Sequence, residues 1–455
     1  MKEMLLSGRL ADFVSKTNYE DIPEKVLEKA KHCFVDCFGC MLAGAKEPVS
    51  DITVNYIEAM GGNPDASVIG RNLKTSVYNA AMANGVLGHA LDYDDMSASL
   101  IGHPSTVVLP AVLAMGEYRK ISGRQALEAF VLGIEVSCAI GRGANPDHYQ
   151  NGWHPTTSIG VFGATAAAGK ILGLPVERLI HAFGIAGSES SGLRENFGTM
   201  TKPLHAGRAA AKGVLAAMLA SKGFTGTGNI FEGEAGFFKA MAGNYDLEKI
   251  HKSLGNPYEV ESPGLSIKPY PACGATFNGI DAMLALIKEN KIAPENVKRI
   301  ECGSVPIAKD VLIYPLPKTG LEGKFSMPFC LALALTEGKV ALDHFTDQKV
   351  SDPAIVKLME KTNLYVDPEL AKIGYRGTFN TIVKICLNDG REYVKRLDHS
   401  KGSPENPLSE NELFEKFADC AGRLLSEEKV NRSVKILKDI QQSADLTELM
   451  NTLKC

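Results

Sequence analysis

Apolar residues recur with helical spacing along most of the first 250 residues of the chain. Glycine, proline and asparagine separate these runs, as they do at helix ends. Two runs, beginning at Gly160 and Ala209, are rich in alanine and glycine, whose small side chains let buried helices approach closely. The pattern predicts helices at 5–17, 23–44, 49–60, 75–92, 105–119, 124–142, 158–172, 176–190, 203–222 and 234–242.

The pattern changes after a turn-rich segment at 255–270. Helices are predicted at 273–290, 323–337 and 353–362, a strand at 297–305, and polar helices from 409 to 452. An Asn388-Asp389-Gly390 turn joins runs 378–387 and 391–397 as a β-hairpin. The predicted fold is mainly α with an α+β part. We expect a large all-helical domain, residues 1–266 and 401–455, and a smaller α+β lid domain, residues 267–400.

Composition places the chain among ordinary soluble globular proteins. Its 455 residues are 45% hydrophobic and 22% charged, with a net charge of −4. No basic surplus points to nucleic acid. The N-terminal segment is amphipathic with an early Glu3, and no following apolar run has the length of a signal peptide or a membrane span. A cytoplasmic protein without a membrane partner is therefore expected.

The ten cysteines are scattered, as is typical of reduced thiols. Cys33, Cys37 and Cys40 have a C-x3-C-x2-C spacing that can hold an iron–sulfur cluster. They share the apolar face of a predicted helix instead of lying on a loop, so buried core thiols are the better interpretation. The glycine-rich run 160–173 follows no strand and lacks G-x-G-x-x-G, which argues against a dinucleotide site.

Candidate chemistry is concentrated in residues 84–110, between two apolar helical runs. His89 and Asp92 are three residues apart and are expected to share a helical face, with His89 as a buried structural histidine. Asp94 and Asp95 are expected in the loop that follows. Asp92-x-Asp94-Asp95 resembles a Mg²⁺ ligand set, but side chains that fix the loop are the favoured interpretation.

Four basic residues directly precede a proline, each at or near a predicted helix start: His103, His154, Lys202 and Lys268. Proline suits the first turn of a helix, and the dipole of that end attracts anions. An anionic substrate group is expected at the helix that follows His103. If the four helix starts converge, they form a pocket for a polycarboxylate.

Six motifs in this order resemble the MmgE/PrpD family, which includes 2-methylcitrate dehydratase, cis-aconitate decarboxylase and iminodisuccinate epimerase. The resemblance covers nearly the whole chain. It implies a large helical domain, a smaller α+β lid with a cleft between them, a homodimer, and catalysis without a metal, a nucleotide or a flavin. The motifs are Gly88-His-Ala-Leu-Asp-Tyr-Asp-Asp, His103-Pro-Ser, Gly152-Trp-His-Pro-Thr, Lys202-Pro-Leu-His-Ala-Gly-Arg-Ala-Ala, Lys268-Pro-Tyr-Pro-Ala-Cys-Gly and Lys324-Phe-Ser.

The resemblance also assigns site residues. Two positions depart from the family pattern: Met96 stands where many relatives have threonine, and Phe277 where histidine is common. A nucleophilic role for the cysteine of the fifth motif is disfavoured, since no base accompanies it in sequence. The family's catalytic positions fall on Asp92, His103, His154, Lys202 and Lys268, and the further substrate-binding candidates are His205, Arg208, Met96 and Cys273.

Reactions of this family break a bond beside a carboxylate, so negative charge develops on carboxylate oxygens. Lys202 and Lys268 are expected to neutralise it. His103, oriented by Asp92, is the first candidate acid/base, and His154 is a second proton carrier or an anion anchor. The alternative is that these histidines only satisfy helix ends and the lysines are solvated.

The main functional prediction is a cofactor-independent hydro-lyase resembling 2-methylcitrate dehydratase. Cis-aconitate decarboxylase-like or iminodisuccinate epimerase-like activity is the alternative, placed second because Met96 departs from the threonine. A catalytically silent homodimeric binding protein is a further alternative.

Overall fold

The computed structural model describes residues 4–373 and 379–454. The chain divides into two compact units. Unit 1 comprises Met1–Glu195, Met200–Leu265 and Ser409–Cys455, and unit 2 comprises Asn196–Thr199 and Ser266–Leu408. The second unit starts within one residue of the lid predicted at 267–400, extends further to Leu408, and takes in a short segment from the helical part.

The first part of unit 1 is almost entirely helical. Two short strands, β1 (Ala66–Val68) and β2 (Leu73–Thr75), form an antiparallel hairpin that the hydrophobic pattern did not predict. Short helices after 144 and near 247 were also not predicted. The elements are α1 (Leu6–Lys16), α2 (Glu24–Gly44), α3 (Pro48–Met60), β1 (Ala66–Val68), β2 (Leu73–Thr75), α4 (Val77–His89), β3 (Met96–Ser97), α5 (Ser105–Arg119), α6 (Gly123–Ala144), α7 (Asp147–Gln150), α8 (Pro155–Ser158), α9 (Gly160–Ile171), α10 (Val176–Ser188), α11 (Thr201–Ser221) and α12 (Leu247–Ser253).

The centre of unit 1 consists of helices that are apolar on all sides. Helix α5 is buried from Ser105 to Gly116 and α9 from Gly160 to Gly169, as expected of helices surrounded by others. Helices α4 and α11 pack closely where Gly85 meets Gly207, because neither carries a side chain there. This close approach positions the C-terminus of α4 relative to the first turn of α11.

The three cysteines of the C-x3-C-x2-C spacing lie within α2 and are buried, free thiols. Burial raises the pKa of each thiol well above its ordinary value. A protonated thiol is a poor metal ligand, so the structure favours the core interpretation.

Unit 2 combines a mixed sheet with short helices. Its sheet contains β5 (Val297–Ser304), β6 (Thr362–Val366), β7 (Thr381–Leu387) and β8 (Glu392–Leu397) in the order β6-β5-β7-β8. Strand β5 is parallel to β6 and antiparallel to β7, and β7 is antiparallel to β8. The predicted hairpin is β7 and β8, although its first residue, 378, lies outside the described residues. The elements from the boundary onward are β4 (Leu265–Ser266), α13 (Phe277–Asn290), β5 (Val297–Ser304), α14 (Pro306–Val311), α15 (Gly320–Gly323), α16 (Met327–Glu337), α17 (Asp347–Val350), α18 (Pro353–Glu360), β6 (Thr362–Val366), α19 (Pro368–Ala371), β7 (Thr381–Leu387) and β8 (Glu392–Leu397).

The C-terminal segment returns to unit 1 as α20 (Glu410–Gly422), α21 (Glu427–Lys438) and α22 (Thr447–Thr452). Helix α20 begins with a capping box between Ser409 and Glu412 and packs against α2. The predicted fold class, mainly α with an α+β part, is confirmed. Within the described ranges, no helix is both long and apolar enough to cross a membrane.

Candidate active site

Unit 1 contains a compact cluster of basic and acidic side chains: His89, Asp92, Asp94, His103 and Lys202. His89 ends α4, the two aspartates and His103 belong to the segment that connects α4 to α5, and Lys202 lies in the first turn of α11. Four of the five are buried, and His103 is partly exposed. Charged groups are buried at this density only when they are paired.

Lys202, His89 and Asp94 form a hydrogen-bonded chain. Lys202 Nζ lies 2.9 Å from His89 Nε2, and His89 Nδ1 lies 2.8 Å from Asp94 Oδ1. Because a carboxylate accepts, Nδ1 of His89 carries the proton, which leaves Nε2 to accept from the Lys202 ammonium. Burial lowers the pKa of His89, Asp94 opposes this effect, and Lys202 adds to it. His89 is therefore a neutral link in the cluster, and it is buried as predicted.

Asp92 reaches the same ammonium from the loop. Its Oδ1 lies 3.0 Å from Lys202 Nζ. The prediction that a helix extends to residue 92 is wrong, because α4 ends at His89 and Asp92 adopts a left-handed φ of 52°. Aspartate tolerates this conformation better than most residues, but it still costs on the order of 1 kcal/mol. The turn lets Asp92 and His89 contact Lys202 together, although they do not share a helical face.

His103 donates a hydrogen bond to the loop backbone and lies near two carboxylates. Its Nδ1 donates to the backbone oxygen of Asp95 at 2.9 Å and lies 3.4 Å from Asp94 Oδ2, while its Nε2 lies 3.7 Å from Asp92 Oδ1. Carboxylates at these distances stabilise positive charge on the ring. The His103 side chain is 12% exposed, against 6% for Asp92 and 0% for Asp94. A small molecule entering the cluster from solvent would therefore meet His103 before the aspartates.

The N-terminus of α5, next to His103, is already occupied by a carboxyl group of the protein. Asp95 accepts hydrogen bonds from the backbone N–H of Ser105 at 3.3 Å and from its hydroxyl. Burial raises the pKa of Asp95 to about 7, while the bonds from Ser105 oppose that rise. Asp95 thus accepts from the first residue of this helix and fixes the loop to α5. Binding of an anionic substrate group at the same helix end stays a prediction.

His154 joins the cluster through a second histidine. The two Nδ1 atoms of His154 and His205 are 3.1 Å apart, and the His154 ring centroid is 6.1 Å from that of His89 and 6.4 Å from that of His103. Burial lowers the pKa of His154 well below its ordinary value and that of His205 to about 4, with Lys202 adding to both effects. Both rings are neutral at neutral pH, so one Nδ1 donates to the other. His205 thus contacts the site by way of His154.

The remaining candidates fall elsewhere. Arg208 is exposed on α11, six residues after the buried Lys202, and residues with that spacing do not share a helical face. Met96 is half-buried in β3, one residue beyond the capping Asp95. Lys268 and Cys273 belong to unit 2. The structure thus brings together Asp92, His103, His154, Lys202 and His205, and it leaves Arg208 outside.

Unit 2 carries its own pair of buried lysines around one turn. Lys268 Nζ donates to the backbone oxygen of Ala272 at 3.1 Å, and Lys324 Nζ donates to that of Pro271 at 3.3 Å. The half-exposed Cys273 donates its backbone N–H to the Lys324 backbone oxygen at 2.9 Å. Lys324 was noted in a sequence motif but not proposed as a site residue. The side chains of Lys268 and Lys324 thus both bond to the backbone of this turn.

The donor atoms of His89, Asp92, Asp94 and His103 lie within 4.8 Å of one another, the one such group found among the residues that the structure describes. That spacing would suit a metal ion with nitrogen and oxygen ligands. The Lys202 ammonium contacts two of the four residues and already supplies positive charge to this donor set.

Comparison with known families covers most of the chain. The model of the MmgE/PrpD N-terminal domain matches residues 8–250, and the model of the MmgE/PrpD C-terminal domain matches residues 270–442. The chain belongs to the MmgE/PrpD family. The resemblance inferred from the six motifs is thereby confirmed.

Relatives within the MmgE/PrpD family bear two enzyme names. Human cis-aconitate decarboxylase is 29% identical over 447 residues, covering 95% of this chain and 91% of the relative. The Aspergillus terreus cis-aconitate decarboxylase is 27% identical over 484 residues, covering 99% and 96%. The 2-methylcitrate dehydratase of Escherichia coli K12 is 22% identical over 393 residues, covering 79% and 77%. Both names denote lyases, the predicted reaction class.

Similarity to these relatives supports the predicted alternative, a decarboxylase, better than the main prediction, a dehydratase. Among these MmgE/PrpD enzymes, the decarboxylases match with higher identity and over more of the chain than the dehydratase. The sequence-based order gave Met96 too much weight. The identity of one residue, Met96, is weaker evidence for the reaction than similarity over the whole chain.

Proposed function

We propose that the protein is a lyase that removes CO₂ from a small unsaturated tricarboxylate of the cis-aconitate type. The observation that carries the proposal is the buried ammonium of Lys202, held between His89 and Asp92 beside the partly exposed His103. The names of the decarboxylase relatives support the choice of substrate class.

The first step generates negative charge on the substrate, and the site has to stabilise that charge. Cleavage of the bond to the departing carboxylate leaves an electron pair, which the neighbouring double bond and its carboxylate accept. Lys202 is positioned to stabilise that charge, since it is buried in the first turn of α11, where the helix dipole acts in the same direction. A preorganised ammonium in a dry site is worth far more than one in water, because no solvent has to reorganise.

The second step adds one proton to carbon for each CO₂ released. His103 is our first candidate for the donor, because Asp92 and Asp94 stabilise its protonated form and because it is the most accessible member of the cluster. His154 is the second candidate. It is neutral in the free protein, but a bound polycarboxylate would add negative charge nearby and raise its pKa.

Dehydration of a 2-methylcitrate-type substrate is the second candidate function. Met96 favours it, because a half-buried thioether in place of a hydroxyl would suit a substrate that carries an extra methyl group if the side chain reaches it. The same cluster would then take a proton from carbon and return one to the departing hydroxyl. Such a gain in apolar contact amounts to about 1 to 3 kcal/mol per methyl-sized group.

The test is an NMR assay in D₂O with cis-aconitate, 2-methylcitrate, citrate and iminodisuccinate. We expect conversion of cis-aconitate to a dicarboxylate that carries one new carbon-bound deuterium. Lys202→Met should lower kcat by about 100- to 1000-fold, the usual effect of removing one preorganised charge-stabilising group. Lys268→Met tests in the same assay whether the lysine of unit 2 contributes.

The matched control is Lys212→Met on the same helix. Lys212 is also buried, but its Nζ donates to the backbone oxygen of Glu189 at 2.8 Å and to Ser191 Oγ, not to the cluster. Activity should survive this change within a few-fold. Equal losses in the Lys202 and Lys212 variants, or no turnover and no deuterium exchange with any substrate, would contradict the proposed function. Selective turnover of 2-methylcitrate would favour the second candidate.

A further inference from the structure

We propose that Lys416, on the C-terminal helix α20, is a positioning residue for the segment Asp92–Asp95, called here the aspartate loop. Lys416 does not touch the reacting groups. It contacts the loop residue that separates Asp92 from Asp94, and so it acts through both carboxylates. The expected effect on turnover rests on the proposed function, whereas the expected effect on the loop does not.

Lys416 contacts Asp36 and Tyr93 in the interior of unit 1. Its Nζ lies 2.5 Å from Asp36 Oδ1 on α2, donates to the backbone oxygen of Tyr93 at 2.8 Å, and lies 3.7 Å from the centre of the Tyr93 ring. The side chains of Lys416 and Asp36 are 6% and 0% exposed. Lys416 and Tyr93 are 323 residues apart in sequence, so only the folded chain brings them together.

The charge on Lys416 is maintained despite this burial. Burial by itself would lower the pKa of the ammonium, but Asp36 and neighbouring groups raise it above its ordinary value. A charged donor makes a stronger hydrogen bond to a carbonyl than a neutral one, and the ring face adds a cation–π contact. Tyr93 is thus held through its backbone and its side chain by a single group.

The aspartate loop needs such an anchor because its backbone is strained. Asp92 has a φ of 52°, and its carboxylate contacts Lys202, while Asp94 contacts His89 and His103. Asp95 fastens the far side of the loop to Ser105. The bond from Lys416 to the Tyr93 carbonyl fastens the near side and fixes the peptide plane between Tyr93 and Asp94. Without it, both carboxylates can rotate away from the histidines that they orient.

A purely structural ion pair between α2 and α20 is the competing interpretation. Lys416→Met alone cannot exclude it, because it leaves Asp36 buried without its partner ammonium, and that change is itself destabilising. The double variant Asp36→Asn/Lys416→Met removes the buried charge and keeps the shapes similar. If Lys416 positions the loop, the double variant should recover thermal stability without recovering turnover.

The control variant is Lys170→Met, in the same unit. Lys170 Nζ pairs with Glu128 at 2.9 Å and donates to the backbone oxygen of Thr17 at 2.6 Å, so it has the same kinds of partner away from the aspartate loop. Its side chain is 15% exposed, against 6% for Lys416. It should lose stability and keep turnover.

The experiment measures thermal midpoints, amide hydrogen exchange and steady-state kinetics for all four proteins, including the wild type. Both Lys416 variants should show faster exchange in peptides that cover residues 91–103, and a kcat lowered at least about tenfold at a KM within about twofold of wild type. Lys170→Met should change neither. Recovery of kcat in the double variant, or unchanged exchange in the aspartate loop, would overturn the inference. If the wild type turns over none of the substrates, the proposed function fails and the exchange data still decide the role of Lys416.

Discussion

Gly207→Ala tests whether the close approach of α4 and α11 sets the geometry of the cluster. A Cβ atom at Gly207 would lie 2.3 Å from the backbone oxygen of Met82 and 2.7 Å from Val86 Cγ2. The Met82 oxygen belongs to the backbone of α4, so it cannot rotate aside as a flexible side chain can. The two helices must therefore separate locally.

The magnitude of the effect follows from the contacts. An ordinary van der Waals contact starts at 3.4 Å, so the Met82 contact must lengthen from 2.3 Å to at least that value. The hydrogen bonds from Lys202 to His89 at 2.9 Å and to Asp92 at 3.0 Å join the same two parts of the structure. Lengthening by about 1 Å puts both beyond the hydrogen-bonding range. Misplacement on that scale can lower kcat by about 100-fold.

Stability should change less than activity. Overpacking costs about 1 to 3 kcal/mol, and the helix preference of alanine over glycine offsets about 1 kcal/mol of this. We expect the free energy of unfolding to fall by on the order of 1 kcal/mol. Urea denaturation and the D₂O assay measure the two effects on the same preparation.

The control is Gly8→Ala on α1, where a Cβ atom would meet only the exposed Met4 side chain, at 3.1 Å. It should retain full activity with equal or slightly higher stability. If Gly207→Ala keeps both wild-type kcat and wild-type stability, the link between helix spacing and the Lys202 contacts is refuted.

Two further predictions concern titration and thiol reactivity. Burial raises the pKa of Glu135 from 4.5 to about 7, so between these values the folded state holds the proton that the unfolded chain has released. The stability contributed by Glu135 is complete below pH 4.5 and is lost as the pH rises towards 7. In urea denaturation, Glu135→Gln should therefore gain stability relative to wild type from pH 5 to 8. A difference in stability that does not depend on pH would contradict this prediction. In a Cys455→Ser background, Cys273 is the one half-exposed thiol among the described cysteines. A chromogenic disulfide reagent should react with it first, and Cys273→Ser should remove the fast phase; a fast phase that persists would show that a buried thiol is accessible.

The helical body was largely predictable because periodic burial is a local property. The predicted helices at 23–44 and 105–119 agree with α2 and α5 to within a residue at each end. Helix α4 was predicted to end three residues too late, because Ala90 to Asp92 continue the pattern while the tertiary contacts of Asp92 require a left-handed turn. The two-stranded hairpin β1–β2 was missed, because three-residue strands are too short to show alternation.

The members of the site could be proposed from sequence, but their partners could not. The proline steps and the family motifs pointed to His103, His154 and Lys202, which do lie near one another. Nothing in the sequence spacing showed that His89 links Lys202 to Asp94, because His89 and Lys202 are 113 residues apart in the chain. The signal that could have pointed to His89 was its position in the same stretch as three aspartates.

The sequence by itself determined the fold class, the family and the residue types of the site, because apolar periodicity and short motifs are read over a few consecutive residues. Only the tertiary structure decided that Asp95 accepts a hydrogen bond from the first N–H of α5 and that Lys416, on a C-terminal helix, donates one to the Tyr93 backbone oxygen. Such contacts depend on which helices pack together and at what distance. That distance is set by glycines such as Gly207, whose importance is visible only when the neighbouring helix is in place.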